Sequence, residues 1–202
     1  LVIHGIRSRM HNTIRVARTI PMDVQDVAFS GLCSALSVLT AEQKRSGVVV
    51  IDLGGGTTDF LAYSGNVVAA GGSFGVGGDH VTNDMALAFN IPTARAERLK
   101  RECGSAMVDA RSGTQRLSLP AEVGFAARSI SLRALQTVIH ARMDEMFGLV
   151  KQRLDEDGIM THVGAGVVLT GGGAHLNGAV ELAERVFGLP CSIGRPRNIS
   201  GL

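Results

Sequence analysis

The chain has 202 residues, 45% of them hydrophobic and 19% charged, and a net charge of only +2. That is enough apolar material for a sizeable core in one large domain or two small ones; it argues against disorder and sets up no strong positive field for nucleic acid. Cys33, Cys103 and Cys191 are odd in number, widely separated and without metal-ligand spacing, which suits free thiols in a reducing cytosol. No window approaches the roughly 20 apolar residues that span a bilayer, and the first residues lack a charged-then-apolar signal pattern. The chain starts at Leu1, and Val2-Ile3-His4 reads as the end of a strand, so a piece of something longer is expected.

In chain order, Asn12 to Thr19 is polar and basic and closes at Pro21, which predicts one short helix. Val24 to Phe29 reads as a strand. Ser30 then caps a helix from Gly31 to about Glu42 whose Leu32, Leu36 and Leu39 share a face. Val48 to Leu53, four of six residues β-branched, predicts a strand buried on both faces. It runs directly into Gly54, Gly55, Gly56, Thr57 and Thr58. Glycines without Cβ can bring successive backbone N–H groups against an anion, and two hydroxyls add donors. Asp52 and Asp59 bracket that turn with carboxylates suited to a hydrated Mg²⁺. Two further strands follow, Phe60 to Tyr63 and Val67 to Ala70, joined by a turn at Ser64-Gly65-Asn66.

Gly71 to Asp79 is a second glycine-rich segment. It lacks the complete spacing and strand–helix–strand context of a dinucleotide fingerprint, and no G-x-x-x-x-G-K-[ST] pattern occurs anywhere. Asp79 or Thr82 is placed to cap a helix running to Phe89, and Pro92-Thr93 opens another in which Glu97 and Lys100 share a face. A small hairpin is expected around Ser112-Gly113, with Arg111 and Arg116 facing solvent. Ser131 caps the longest helix, whose stripe of Leu132, Leu135, Ile139, Met143, Met146, Val150 and Leu154 predicts core packing until Gly158 stops it. Gly148 in its interior suggests close packing against a neighbour. Gly166 to Gly178 then repeats the earlier pattern of buried strand, three glycines (Gly171, Gly172, Gly173) and helix start, with His175 able to lie on a planar base or to be a surface histidine. A helix to Phe187 and a short strand from Leu189 to Ile193 end the chain's regular structure.

Asp52-Leu-Gly-Gly-Gly-Thr-Thr-Asp59 resembles the second phosphate motif of the actin, heat-shock-chaperone and sugar-kinase superfamily, and Leu169-Thr-Gly-Gly-Gly-Ala-His175 resembles its adenosine motif. Ser30 to Leu39 is similar to the connecting helix before the second phosphate motif. Within the superfamily, Val76-Gly-Gly-Asp-His-Val-Thr-Asn-Asp84, Ala96 to Lys100, Ser34 to Thr40 and Arg195 to Leu202 resemble the bacterial cell-division family FtsA. The resemblance implies an α/β lobe of the actin-like ATPase (ribonuclease H-like) fold: a mixed five-stranded sheet flanked by helices, with a small α+β subdomain inserted. It divides the chain into 1–46, the end of a first lobe with its connecting helix; 47–103 plus 159–202, a nucleotide-binding second lobe; and 104–158, the inserted subdomain.

By the same resemblance the cofactors are ATP and Mg²⁺. Asp52 would hold the metal through water, and Gly54, Gly55, Gly56, Thr57, Thr58 and Asp59 would meet the phosphate end. Gly77 and Gly78 would approach ribose or phosphates, Glu97, Lys100 and Arg101 the adenosine, and Gly171, Gly172, Gly173 and His175 the base. The implied partners are a tubulin-like FtsZ, other copies of the chain in filaments, and the cytoplasmic face of the inner membrane, reached through a segment outside this chain. A pilus-assembly adaptor and a chaperone- or kinase-type ATPase are the alternatives. Ser30 stands where relatives carry an acidic residue followed by proline, and in actins the matching polar side chain orients the attacking water; the shorter serine implies weak or no hydrolysis. The first lobe's Asp-x-Gly-Thr hairpin and the membrane helix do not occur in these residues, so the polypeptide alone is expected to bind ATP weakly.

Overall fold

The structure, a computed structural model, describes residues 5–121, 124 and 126–197. The strand end read at Val2-Ile3-His4 and the last part of the Arg195 to Leu202 resemblance lie outside them. Helix α1 (Arg7–Ala17) is followed by turns at 18–21 and an irregular stretch to Phe29. The strand expected at Val24 to Phe29 does not form: no other described strand pairs with it, and Val27 is half exposed. A segment without a ladder partner remains a connection.

Ser30 is the first residue of α2 (Ser30–Val38) and not its cap. The single helix predicted to Glu42 is two helices, because Thr40 starts α3 (Ala41–Ser46) with a capping box in which its hydroxyl accepts from Gln43 N and its own N–H donates to Gln43 Oε1. Ala35 and Val38 of α2 turn inward with Leu39 just past its end; of the predicted leucines Leu39 is buried, Leu32 half-buried and Leu36 62% exposed.

Strands β1 (Val48–Leu53), β2 (Thr58–Ser64) and β3 (Val67–Phe74) form an antiparallel meander. β3 runs further than predicted, through Gly71 and Gly72, whose missing Cβ atoms leave room for Leu61 and the Phe60 ring. Helices α4 (Gly78–Phe89) and α5 (Thr93–Cys103) follow. Neither Asp79 nor Thr82 caps α4. Gly77 is the cap, and its N–H donates to His80 Nδ1 at 3.2 Å. Ser112 and Gly113 sit in a 3-10 turn closed by the Asp109 side chain, and the hairpin is built further on, from β4 (Arg116–Leu119) and β5 (Arg128–Ser131). Arg111 and Arg116 face solvent as predicted. Arg95, 7% exposed, donates to Pro120 O at 2.7 Å, and Arg128 donates to the Phe89 carbonyl and, at 2.7 Å, to Asn90 O, so two arginines pin the hairpin region to α4 and α5.

Helix α6 (Leu132–Glu156) begins on a Ser131 cap and buries all of the predicted stripe except the partly exposed Leu132. It packs on α4 and on α7 (Ala179–Phe187). β6 (Val167–Thr170) and β7 (Cys191–Ile193) run parallel to β1 and complete a five-stranded mixed sheet in the order β3-β2-β1-β6-β7. Both faces are covered, and alternation sorts them. Val49, Ile51, Leu53, Phe60 and Leu169 point to the α4, α6 and α7 side. Val48, Val50, Leu61, Tyr63 and Val168 point to α2. Among the described residues no helix is long and apolar enough to cross a membrane, and all three cysteines are free thiols.

Gly148 does not mark a close approach: a Cβ built there meets nothing within 4 Å. Gly148→Ala should therefore stabilise the chain by about 1 kcal/mol through helix propensity, read as a higher denaturant midpoint with an unchanged m-value; a lower midpoint would show a hidden packing role.

Candidate functional site

Parallel pairing sets Asp52 beside Thr170, so the turns leaving β1 and β6 lie side by side at one end of the sheet. A third turn, between β3 and α4, folds over the first. Gly78 N donates to Gly54 O at 2.9 Å and Asp79 N to Gly55 O at 2.8 Å. Gly77 lies under this contact, where a Cβ would stand 2.5 Å from Gly55 O. Gly171, at φ +82°, would bring a Cβ 2.3 Å from Asp52 Oδ1, and Gly173 one 2.8 Å from the Leu53 Cβ. These glycines are required by close backbone approach.

Between the three turns and the α4, α5 and α6 helices opens a cleft of about 530 Å³. Gly54, Gly55 and Gly78 line one end. Glu97, Lys100 and Arg101 line the α5 side, and Gly172, Gly173 and His175 the β6 side. Nine of the residues singled out from sequence thus share one cavity. The others sit around it. Gly56 and Thr57 are exposed on the first turn, and Thr58 is buried with its hydroxyl donating to Val76 O at 2.8 Å. Gly77 and Gly171 pack beneath the turns. His175 is exposed and belongs to a short 3-10 turn, Gly172–His175, instead of opening α7.

Asp52 and Asp59 are opposite each other across the β1–β2 ladder, on the α2 face. Ser30 and Ser34, one helical turn apart on α2, donate to them: Ser34 Oγ reaches Asp52 Oδ2 at 2.5 Å, and Ser30 Oγ bonds Asp59 Oδ2. Directly opposed carboxylates repel, and each here has a hydroxyl donor of its own.

On α5, Glu97 and Lys100 form the predicted pair, 2.6 Å apart, with Thr82 of α4 bonded to both. Burial pushes the Glu97 carboxyl up, but hydrogen bonds from Lys100 and Thr82 and the charges of Lys100 and Arg101 together outweigh it and hold it below the ordinary glutamate value. Asp79, Asn177 and Met143 also line the cleft and were not singled out as ligand-facing. Asp79 directly follows the Gly77-Gly78 pair, a signal that could have found it. Met143 belongs to a core stripe and carries none.

Sheet order, strand directions and the cleft between glycine turns define the class: the chain has the fold of the actin-like ATPases. Two solved structures superpose on it, MreB5 of Spiroplasma citri bound to ADP (TM-score 0.72, 22% identity, 95% of this chain and 61% of that one) and a PilM–PilN type IV pilus biogenesis complex (TM-score 0.65, 16% identity, 91% and 46%). Residues 49–201 match the family model of the cell division protein FtsA, and the chain belongs to that family. FtsA of Pseudomonas aeruginosa is 36% identical over 191 residues, 95% of this chain and 46% of the relative. The chain spans about half the length of the curated relatives it matches.

Two outcomes follow from this geometry. Gly171→Ala should cost about 2 kcal/mol of stability, from a left-handed backbone and a blocked turn, whereas Gly56→Ala, which meets nothing within 4 Å, should change it by less than about 0.5 kcal/mol; equal midpoints in urea would refute the close-approach reading. Because the folded-state value of Glu97 is lowered from 4.5, its contribution is fully present above that pH and is lost as pH falls through the folded value. Glu97→Gln should flatten the fall in stability as pH drops below 4.5, measured by denaturant titration at each pH.

Proposed function

We propose that the chain is the nucleotide-binding part of an actin-like cell-division scaffold that takes up ATP with Mg²⁺, assembles with copies of itself into filaments, and links an FtsZ-type ring to the cytoplasmic face of the inner membrane. The observation that carries the nucleotide reading is the convergence of three glycine turns and the α5 polar pair on one cleft. A protein of the same fold, MreB5, has been solved with ADP. Family membership supports the division role. The likeness to a pilus complex is one of fold at 16% identity and does not favour a pilus adaptor over it.

In this reading Gly54, Gly55 and Gly56, with Thr57 and Thr58, form the phosphate end, Gly78 approaches the ribose or phosphates from above, and Glu97 with Arg101 faces the adenosine. Gly172, Gly173 and His175 face the base. Residues 47–103 and 159–202 then make up the nucleotide lobe and 104–158 the inserted subdomain. Among the described residues no cluster of three or more His, Cys, Asp or Glu side chains is arranged to hold a metal. The donor set present fits Mg²⁺ held by a single carboxylate, Asp52, through water, with phosphate oxygens supplying the rest. That ion would neutralise phosphate charge. Ser30 donates to Asp59, so its hydroxyl is engaged by the protein, which supports binding with little hydrolysis.

Calorimetric titration of the full-length protein with Mg-ATP should give saturable binding. Asp52→Asn should weaken it about tenfold with little change when Mg²⁺ is replaced by EDTA, and phosphate release should stay below about 0.1 per second. Absence of saturation by about 1 mM Mg-ATP overturns the nucleotide reading. Retrieval of pilus components without FtsZ in a pull-down overturns the division partner.

A further inference from the structure

One hydroxyl of α4 bonds two side chains of α5. Thr82 is 3% exposed; its Oγ1 donates to Glu97 Oε2 at 2.5 Å and accepts from Lys100 Nζ at 2.8 Å. Lys100 also donates to Gly78 O at 2.9 Å and meets Glu97 Oε2 at 2.6 Å. The ammonium is thus held by two hydrogen bonds and one ion pair within the protein.

Glu97 is placed differently. Its Oε2 takes both Thr82 and Lys100, while Oε1 accepts no hydrogen bond among the described residues, and the side chain, 41% exposed, lines the cleft. A carboxylate oxygen attracts donors and repels phosphate. It therefore suits the uncharged end of a nucleotide, which carries hydroxyl and amino groups. A glutamate has three side-chain torsions and on a half-exposed helix face would sample several rotamers. The short bond from buried Thr82, with Lys100 on the same oxygen, selects one.

We infer that Thr82 is a positioning residue of the cleft, holding the Glu97 carboxylate so that its Oε1 meets a hydrogen-bond donor on the nucleoside end of the ligand. This rests on the nucleotide reading above. Thr82 touches no ligand itself; it acts through Glu97, with Lys100 as the strut that closes the network onto the Gly78 carbonyl.

The test is calorimetry on the full-length protein with two probes, Mg-ATP and magnesium pyrophosphate, the second having phosphates and no nucleoside. Thr82→Val keeps the branched shape and deletes the hydroxyl. It should weaken Mg-ATP binding about tenfold and leave pyrophosphate binding unchanged. Thr82→Ser should restore Mg-ATP affinity, and in a Glu97→Ala background Thr82→Val should have no further effect. Unchanged Mg-ATP affinity in Thr82→Val, a parallel loss for pyrophosphate, or additive losses with Glu97→Ala would each overturn the inference. If circular dichroism shows Thr82→Val unfolded, Thr82→Ala is read by the same criteria. Wild-type protein that binds pyrophosphate but not Mg-ATP overturns the nucleotide reading together with this one, whereas wild-type Mg-ATP binding matched by the variant sinks this one alone.

Discussion

Parallel pairing of β1 with β6 is the constraint on which the remainder of the structure depends. It aligns Val49 with Val167 and Asp52 with Thr170, so both strands end at the same level and release their glycine turns on the same edge. Strands of one direction need a crossover between them, and here the crossover contains α4, α5, the β4–β5 hairpin and α6. The helices that wall the cleft are thus the connection that parallel pairing requires. Ligand sites of open α/β sheets lie outside the carboxyl ends of their strands, and this cleft opens where β1 and β6 end. Closeness of the two turns is then limited only by side chains, which is why Gly171 and Gly173 lie against Asp52 and Leu53 without a Cβ.

The same register creates an electrostatic difficulty and the helix that answers it. Antiparallel pairing of β1 and β2 sets Asp52 opposite Asp59 on one face, where bare carboxylates would repel. Helix α2 covers that face, and its serines at positions 30 and 34 project the same way because they are one turn apart. Below them Ala35 and Val38 meet Val48, Val50 and Leu61. One short helix therefore covers the smaller core cluster with its apolar positions and supplies hydroxyl donors at the site with its polar ones.

Across the sheet, α4 and α5 are held by the Thr82, Glu97 and Lys100 network at the cleft and by Arg95 and Arg128 at the far end. Both are polar ties at the margins of an apolar contact. α6 lies behind them and fills the space with Leu135, Ile139, Met143 and Met146. Rigid support of this kind fixes turn positions, and preorganised turns lose less entropy on ligand binding than mobile ones.

The sequence alone determined the elements whose signals are local. The β-branched run from Val48 to Leu53 can only be a strand covered on both sides, the stripe from Leu135 to Leu154 can only be a buried helix, and the repeated strand-and-glycine pattern marked both ligand turns. Motif resemblance then tied those turns together and named the fold and the FtsA family. Where partners far along the chain decide, sequence reading stopped short. Val24 to Phe29 is apolar enough for a strand but has no strand to pair with. Gly71 and Gly72 look like a loop and are strand, because Leu61 and Phe60 need the space. Leu36 carries a core residue's chemistry on the outer side of α2. Tertiary structure alone decided that Lys100 ties Gly78, Thr82 and Glu97 together, that Ser30 and Ser34 donate to Asp59 and Asp52, and that Asp79 and Met143 reach the cleft. The physical reason is the same in each case: hydrogen-bond satisfaction and packing depend on atoms distant in sequence, whereas propensity and periodicity are written within one element.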